Sequence, residues 1–136
     1  MAATTEPNGG VVALDHLVLV CNDVETTMAW YQRHFGLADV RVDLWRAGRA
    51  PFPSLRVGPA TIIDLVPVAP GNGRDGRGHL DHICFTVTDE LFATLVADPT
   101  LAIIEEGERY GARGNGRSIY IQDPDGLTVE ARTYPA

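Results

Sequence analysis

One tripeptide occurs twice in this chain at strand-like positions. Residues 14–23 read LDHLVLVCND and residues 80–89 read LDHICFTVTD. Each of two apolar, strand-length runs thus opens with a histidine where a core side chain ordinarily sits. His16 and His82 stand 66 residues apart, as do Asp23 and Asp89, both read as helix caps, and the same step carries Asp64 to Glu130. Self-similarity at a fixed step means that one structural unit is written twice. That constrains the fold more than any local propensity does.

The order of elements repeats with the tripeptide. From Leu14 a strand leads to Asn22 and Asp23, residues that cap helices, and Val24, Met28, Tyr31 and Phe35 then form one helical stripe that Gly36 ends. Residues 37–45, 53–58 and 60–68 read as three further strands, with a tight turn at Gly58 and Pro59. In the second half, strand DHICFTV leads to a helix beginning near Asp89, with Leu91, Phe92, Leu95 and Val96 as its apolar face and Pro99 as its stop. Strands are predicted at 101–106, 117–122 and 127–132, the last two joined by the turn DPDG. Residues 69–78, APGNGRDGRG, form a linker, and residues 1–11 a flexible tail without the pattern of a signal peptide.

Composition narrows the function classes. A net charge of −7, with eleven Lys and Arg residues in no basic stripe, argues against nucleic acid as a partner. No run approaches the ~20 apolar residues that a membrane span needs, so a cytoplasmic protein is expected. Cys21 and Cys84 lie in apolar runs without close CxxC spacing and read as buried thiols.

The residues that interrupt the apolar runs carry the chemistry. Strand alternation sets His16 with Leu14, Val18 and Val20, and His82 with Leu80, Cys84 and Thr86, on equivalent faces. Asp64 breaks IIDLV and Glu130 breaks TVEAR, and a buried carboxylate without a partner is expensive. If the halves join around a pseudo-twofold, His16, His82 and Glu130 can meet as a facial triad suited to Fe, Mn, Co, Ni or Zn. Asp64 reads as a fourth ligand, as a contact to the ion through water, or as an acceptor that orients a histidine. The alternative for both acids is solvent at a strand edge. Tyr120, ten residues before Glu130 across the DPDG turn, is either an ordinary aromatic strand residue or a proton donor aimed into the same cavity.

Other candidates are weaker. Residues 71–76 match GxGxxG, but a strand follows and not a helix. Arg109, Arg113 and Arg117 in the expected loop ERYGARGNGRS either grip an anionic substrate or are solvated. His34 falls at a helix end, and His79 stands three residues before His82.

The paired βαβββ pattern, LDH at 14–16 and 80–82, and SIYIQDPDGLTVE at 118–130 together resemble the vicinal oxygen chelate superfamily of glyoxalases, bleomycin resistance proteins, fosfomycin resistance enzymes and extradiol dioxygenases. The resemblance covers residues 12–134. It implies an α+β fold in which two tandem modules, 12–68 and 79–134, curve a mixed sheet into an open barrel around a metal cavity. It implies metal ligands at His16, Asp64, His82 and Glu130, catalytic roles for Tyr120 and Asp64, and a homodimer. The implied activity is that of a glyoxalase-like lyase or isomerase, in which a divalent ion chelates a small oxygen-rich substrate and stabilises an oxyanion or enolate. An Fe(II) extradiol dioxygenase and a drug-sequestering protein of the bleomycin resistance kind are the alternatives. Asp64 departs from the glutamate or glutamine of glyoxalase I, Val18 departs from the threonine of the fosfomycin enzymes, and the additional histidine of extradiol dioxygenases has no counterpart.

Overall fold

A computed structural model describes residues 8–73, 75, 78 and 80–136. Each half of the repeat builds one four-stranded mixed sheet. The first half comprises β1 (His16–Cys21), α1 (Val24–Phe35), β2 (Ala38–Val40), α2 (Val42–Arg46), β3 (Ser54–Gly58) and β4 (Thr61–Pro67), with sheet order β1-β4-β3-β2. The second comprises β5 (His82–Thr86), α3 (Asp89–Ala97), β6 (Glu105–Gly111), β7 (Gly114–Gln122) and β8 (Thr128–Thr133), with sheet order β5-β8-β7-β6. The first strand of each half runs parallel to the last, and the other neighbours are antiparallel.

The repeat holds residue by residue. β1 pairs Val18 with Asp64 where β5 pairs Cys84 with Glu130, and β3 sets Ser54 opposite Asp64 where β7 sets Tyr120 opposite Glu130. A one-residue slip would turn every polar side chain into the core. On one face of the sheets Leu19, Leu55, Ile63, Leu65, Ile83, Ile119 and Val129 are buried, with α1 packed on β4 and α3 on β8. The other face carries the histidines and acids.

Local chemistry fixes both long helices. Asp23 caps α1 by accepting from Thr26 N–H at 3.0 Å, and Gly36, at φ 64°, closes it by donating to the Gln32 carbonyl at 2.9 Å. The expected cap at Asp89 is corrected by one residue. Thr88 Oγ1 accepts from Leu91 N–H at 3.1 Å, and Asp89 is the first residue of α3. Buried apolar residues of both halves form one cluster, in which Phe35 of α1 meets Phe85 of β5 with ring centroids 4.8 Å apart.

Three predicted stretches differ. Residues 37–45 are a strand only over Ala38–Val40. Arg41 then takes a left-handed conformation, φ 59°, and Val42 and Trp45 turn inward at the i, i+3 spacing of a short helix. Residues 101–106 begin as a turn held by Asp98, whose Oδ1 accepts from Thr100 N–H and Oγ1, and the ladder starts at Glu105. The expected loop ERYGARGNGRS is a hairpin, because β6 and β7 pair to their ends at Gly111 and Gly114. Cys21 is buried, whereas Cys84 is exposed on the polar face. Residues 1–7 of the expected tail lie outside the described residues, and Asn8–Gly10 form one 3-10 turn. No helix among the described residues is long and apolar enough to cross a membrane.

Candidate metal centre built as two histidine and carboxylate pairs

In the second module β5 starts at His82, and β8 presents Glu130 from the adjacent parallel strand. His82 Nε2 lies 3.1 Å from Glu130 Oε1, and His82 Nδ1 lies 2.7 Å from Asp81 Oδ2. A carboxylate at Nδ1 holds the ring proton there, which leaves the lone pair on Nε2. Nε2 and Oε1 then face one another as two acceptors, a contact that becomes favourable only with a proton or a cation between them. Glu130 is 3% exposed. Its Oε2 accepts from Ser118 Oγ at 2.6 Å and from Arg132 Nη2 at 3.0 Å. Burial acts to raise its pKa, but these two donors and the Arg132 charge outweigh burial and hold it below the usual carboxylate range.

The first module repeats the arrangement more loosely. His16 Nδ1 lies 2.8 Å from Asp15 Oδ2, and Nε2 lies 3.9 Å from Asp64 Oδ2. Aspartate, one methylene shorter, leaves the wider gap. Asp64 Oδ1 accepts from Ser54 Oγ at 2.6 Å, and Arg41 Nη2 donates to Ser54 Oγ at 3.1 Å. The Asp15 hydrogen bond, opposed by burial and aided by the charges of Asp64 and Asp15, raises the His16 pKa.

Both pairs offer an imidazole nitrogen and a buried carboxylate oxygen, donors that suit a divalent first-row ion. Within one chain, however, His16 with Asp64 and His82 with Glu130 belong to separate sheets. Among the described residues no group of three or more His, Cys, Asp and Glu side chains converges. The chain therefore forms the two pairs and does not itself bring His16 to His82 and Glu130.

Tyr120 stands opposite Glu130 in the ladder, with its ring edge-on to His82 at 5.8 Å between centroids. Burial, followed by the negative charge of Glu130, raises its pKa, against the opposing pull of Arg109. The Arg109 guanidinium lies 5.8 Å from the Tyr120 ring centroid and pairs with Glu105. Arg113 instead covers Tyr134, and Arg117 lies near Glu106, so neither joins the pairs. His34 is buried beside Asp98, away from both, and His79 lies outside the described residues. The GxGxxG stretch is followed by β5 and no helix; its positions 74 and 76 also lie outside the described residues.

Sequence reasoning missed Asp15, Asp81, Ser54, Ser118, Arg41 and Arg132. The repeat contained three of these signals: Asp15 and Asp81 keep the 66-residue step, and Ser54 is the counterpart of Tyr120. Arg132 follows Glu130 by two and so shares its face of the strand.

Residues 13–131 match the sequence model of the Glyoxalase/Bleomycin resistance protein/Dioxygenase superfamily. The chain is 32% identical over 133 residues to virulence protein STM3117 of Salmonella typhimurium, spanning 89% of this chain and 83% of that protein. The crystal structure of that protein superposes with a TM-score of 0.70, covering 92% of this chain and 98% of the other at 26% identity. The glyoxalase domain-containing protein RDO1 of Mycosarcoma maydis is 28% identical over 145 residues, 91% of this chain and 69% of its own length. The integron cassette protein VCH_CASS1 of V. cholerae superposes with a TM-score of 0.68 at 30% identity, over 92% of this chain and 97% of that one.

Proposed function

The chain belongs to the Glyoxalase/Bleomycin resistance protein/Dioxygenase superfamily, and from that premise we propose that it is a divalent-metal enzyme of glyoxalase-like lyase or isomerase type, acting on a small oxygen-rich molecule. The observation that carries this reading is the 3.1 Å approach of His82 Nε2 to Glu130 Oε1, with the outer nitrogen of the ring already taken by Asp81. His16, His82 and Glu130 would hold the ion, with Asp64 as a fourth ligand or a base. Because each sheet of one chain supplies only one pair, a second copy completes the set, and the protein works as a homodimer.

When bound, a divalent ion supplies Lewis acidity toward two neighbouring substrate oxygens. The chain's own residues set the rest. Asp15 and Asp81 keep the protons of His16 and His82 on the outer nitrogens. Tyr120, with its pKa raised by burial and by Glu130, keeps its proton at neutral pH. Standing beside His82, it donates a hydrogen bond or that proton to a substrate oxygen. Asp64, with Oδ1 held by Ser54, keeps Oδ2 free of that bond to accept a substrate proton.

Elemental analysis of tag-free protein purified anaerobically tests the reading. Wild type is expected to carry or take up near-stoichiometric Fe, Mn, Co, Ni or Zn, and His82→Ala and Glu130→Ala to lose it. A wild type that takes up none of the five ions sinks the proposal. Iron accompanied by oxygen uptake on catechols would replace the lyase or isomerase reading with a dioxygenase.

A further inference from the structure

The glycine-rich stretch YGARGNGR, residues 110–117, forms the tip of the β6–β7 hairpin, and nothing said of the ligands so far requires glycine there. At Gly111 the reason is Arg132, a residue that is 3% exposed. Nη2 donates to Glu130 Oε2 at 3.0 Å and to the Tyr110 carbonyl at 3.0 Å, and Nη1 donates to Tyr134 Oη at 3.3 Å. A β-carbon on Gly111 would lie 2.0 Å from Arg132 Nη1 and 2.5 Å from its Cζ. One on Gly116 would lie 2.6 Å from the Thr133 carbonyl oxygen and 3.4 Å from Nη1. The hairpin wall therefore admits the guanidinium only because Gly111 lacks a side chain, whereas the glycine at 116 is required by the backbone of Thr133.

A buried arginine beside a buried glutamate is weak evidence of function on its own, since such pairs often do no more than offset their own desolvation. The direction of the hydrogen bonds adds the needed information. Ser118 and Arg132 both donate to Oε2 of Glu130, and Oε1 is the oxygen turned to His82. In the first module the position equivalent to Arg132 is Val66, and the shorter Asp64 stands 3.9 Å from its histidine. The two carboxylates are thus held differently.

We propose that Arg132, seated in the space left by Gly111, is a positioning residue that ties up Glu130 Oε2 so that Glu130 offers a single oxygen, Oε1, to the ion shared with His82. This rests on the metal reading above. Glu130 is then held by two donors on one oxygen, Ser118 and Arg132, where Asp64, among the described residues, accepts from Ser54 alone.

Cobalt(II) is the probe, because its visible absorption reports coordination number and calorimetry gives its affinity. Arg132→Met, Arg132→Lys and Gly111→Ala are compared with wild type, each at a temperature well below its own Tm. Arg132→Met and Gly111→Ala are expected to weaken cobalt binding by about tenfold to a hundredfold, the usual effect of losing a ligand's supporting partner. They should also alter the absorption band, since Oε2, then held by Ser118 alone of the two donors, can turn to coordinate. Arg132→Lys, which keeps one charged donor, should recover part of the affinity. If Arg132→Met does not fold, Gly111→Ala decides, because it displaces the guanidinium while leaving Arg132 and Glu130 chemically intact. Folded variants that bind cobalt within twofold of wild type, with an unchanged spectrum and only a lower Tm, would reduce Arg132 to a structural role. A wild type that binds no cobalt, nor any of the other four ions, rejects the metal reading and this role together.

Discussion

A histidine beside a carboxylate responds to pH according to its solvation, and His34 makes the point away from the candidate centre. His34 is 7% exposed, its Nδ1 lies 3.6 Å from Asp98 Oδ2, and its ring lies against Trp30. Burial lowers its pKa more than the Asp98 charge raises it. The folded chain thus holds His34 neutral where the unfolded chain, with an ordinary pKa of about 6.5, takes up a proton. Below that pH the unfolded state binds more protons, so stability falls as pH drops from the ordinary histidine range toward the lowered folded value. His16, with its raised pKa, pulls in the opposite direction, so the informative quantity is the difference between wild type and His34→Gln. Thermal melts at pH 7 and pH 5 should show wild type losing more Tm on acidification than the variant does. Equal losses would mean that His34 is solvated in the folded state. At this same scale the sequence displayed the ligand candidates, because His16, Asp64, His82 and Glu130 each interrupt an apolar run. It hid a partner such as Ser118, an ordinary strand residue until the β7–β8 ladder brings it to Glu130, whereas Arg132 shares Glu130's face of one strand by simple alternation.

Between elements, the turn DPDG does two jobs, of which the sequence displayed one. Its residues predict a turn, and Asp123 Oδ1 closes it by accepting from the N–H groups of Asp125 and Leu127 at 2.8 and 3.0 Å. The remaining carboxylate oxygens bind α1 and the residue before its cap in the other module. Asp125 accepts from Asn22 N–H at 2.7 Å and from Thr27 Oγ1 at 2.6 Å, and Asp123 Oδ2 accepts from Tyr31 Oη at 2.6 Å. These contacts join residues about a hundred apart, beyond the reach of any local pattern. They fasten the strands that carry Tyr120 and Glu130 to the first module. Removing the donor while leaving a buried carboxylate oxygen behind costs about 1.5–3 kcal/mol, so Tyr31→Phe should lower the unfolding free energy by that amount, read as a lower urea midpoint at unchanged m. A loss under about 0.5 kcal/mol would mean that water replaces the hydroxyl without penalty. Misread stretches share one cause. Residues 37–45 and 101–106 carry alternation that fits a strand, but a left-handed Arg41 and an Asp98 turn redirect the chain, and neither leaves a periodic trace.

For the whole molecule, the repeat produces two sheets in the same register, each with an open polar face bearing one histidine and one acid. Val18, next to His16 on that face, is 50% exposed, and Leu14 just before the strand is 60% exposed. Exposed apolar side chains beside a half-complete ligand set are what a surface awaiting a second copy presents. On the proposed reading, His16 of one subunit serves the same ion as His82 and Glu130 of the other, and mixing two inactive variants tests it. His16→Ala and Glu130→Ala are each expected to bind little metal alone. In a heterodimer of the two, a shared-site arrangement gathers both lesions at one centre and leaves the other wild type. Random reassociation makes about half of the dimers mixed, so about a quarter of all centres should recover wild-type affinity. Recovery of that size, read as tightly bound cobalt after co-refolding, requires pairing between chains. Modules that complete the centre within one chain give no recovery at any mixing ratio, because every centre then carries one of the two lesions. A mixture that stays inactive and monomeric by light scattering would remove the second copy from the mechanism.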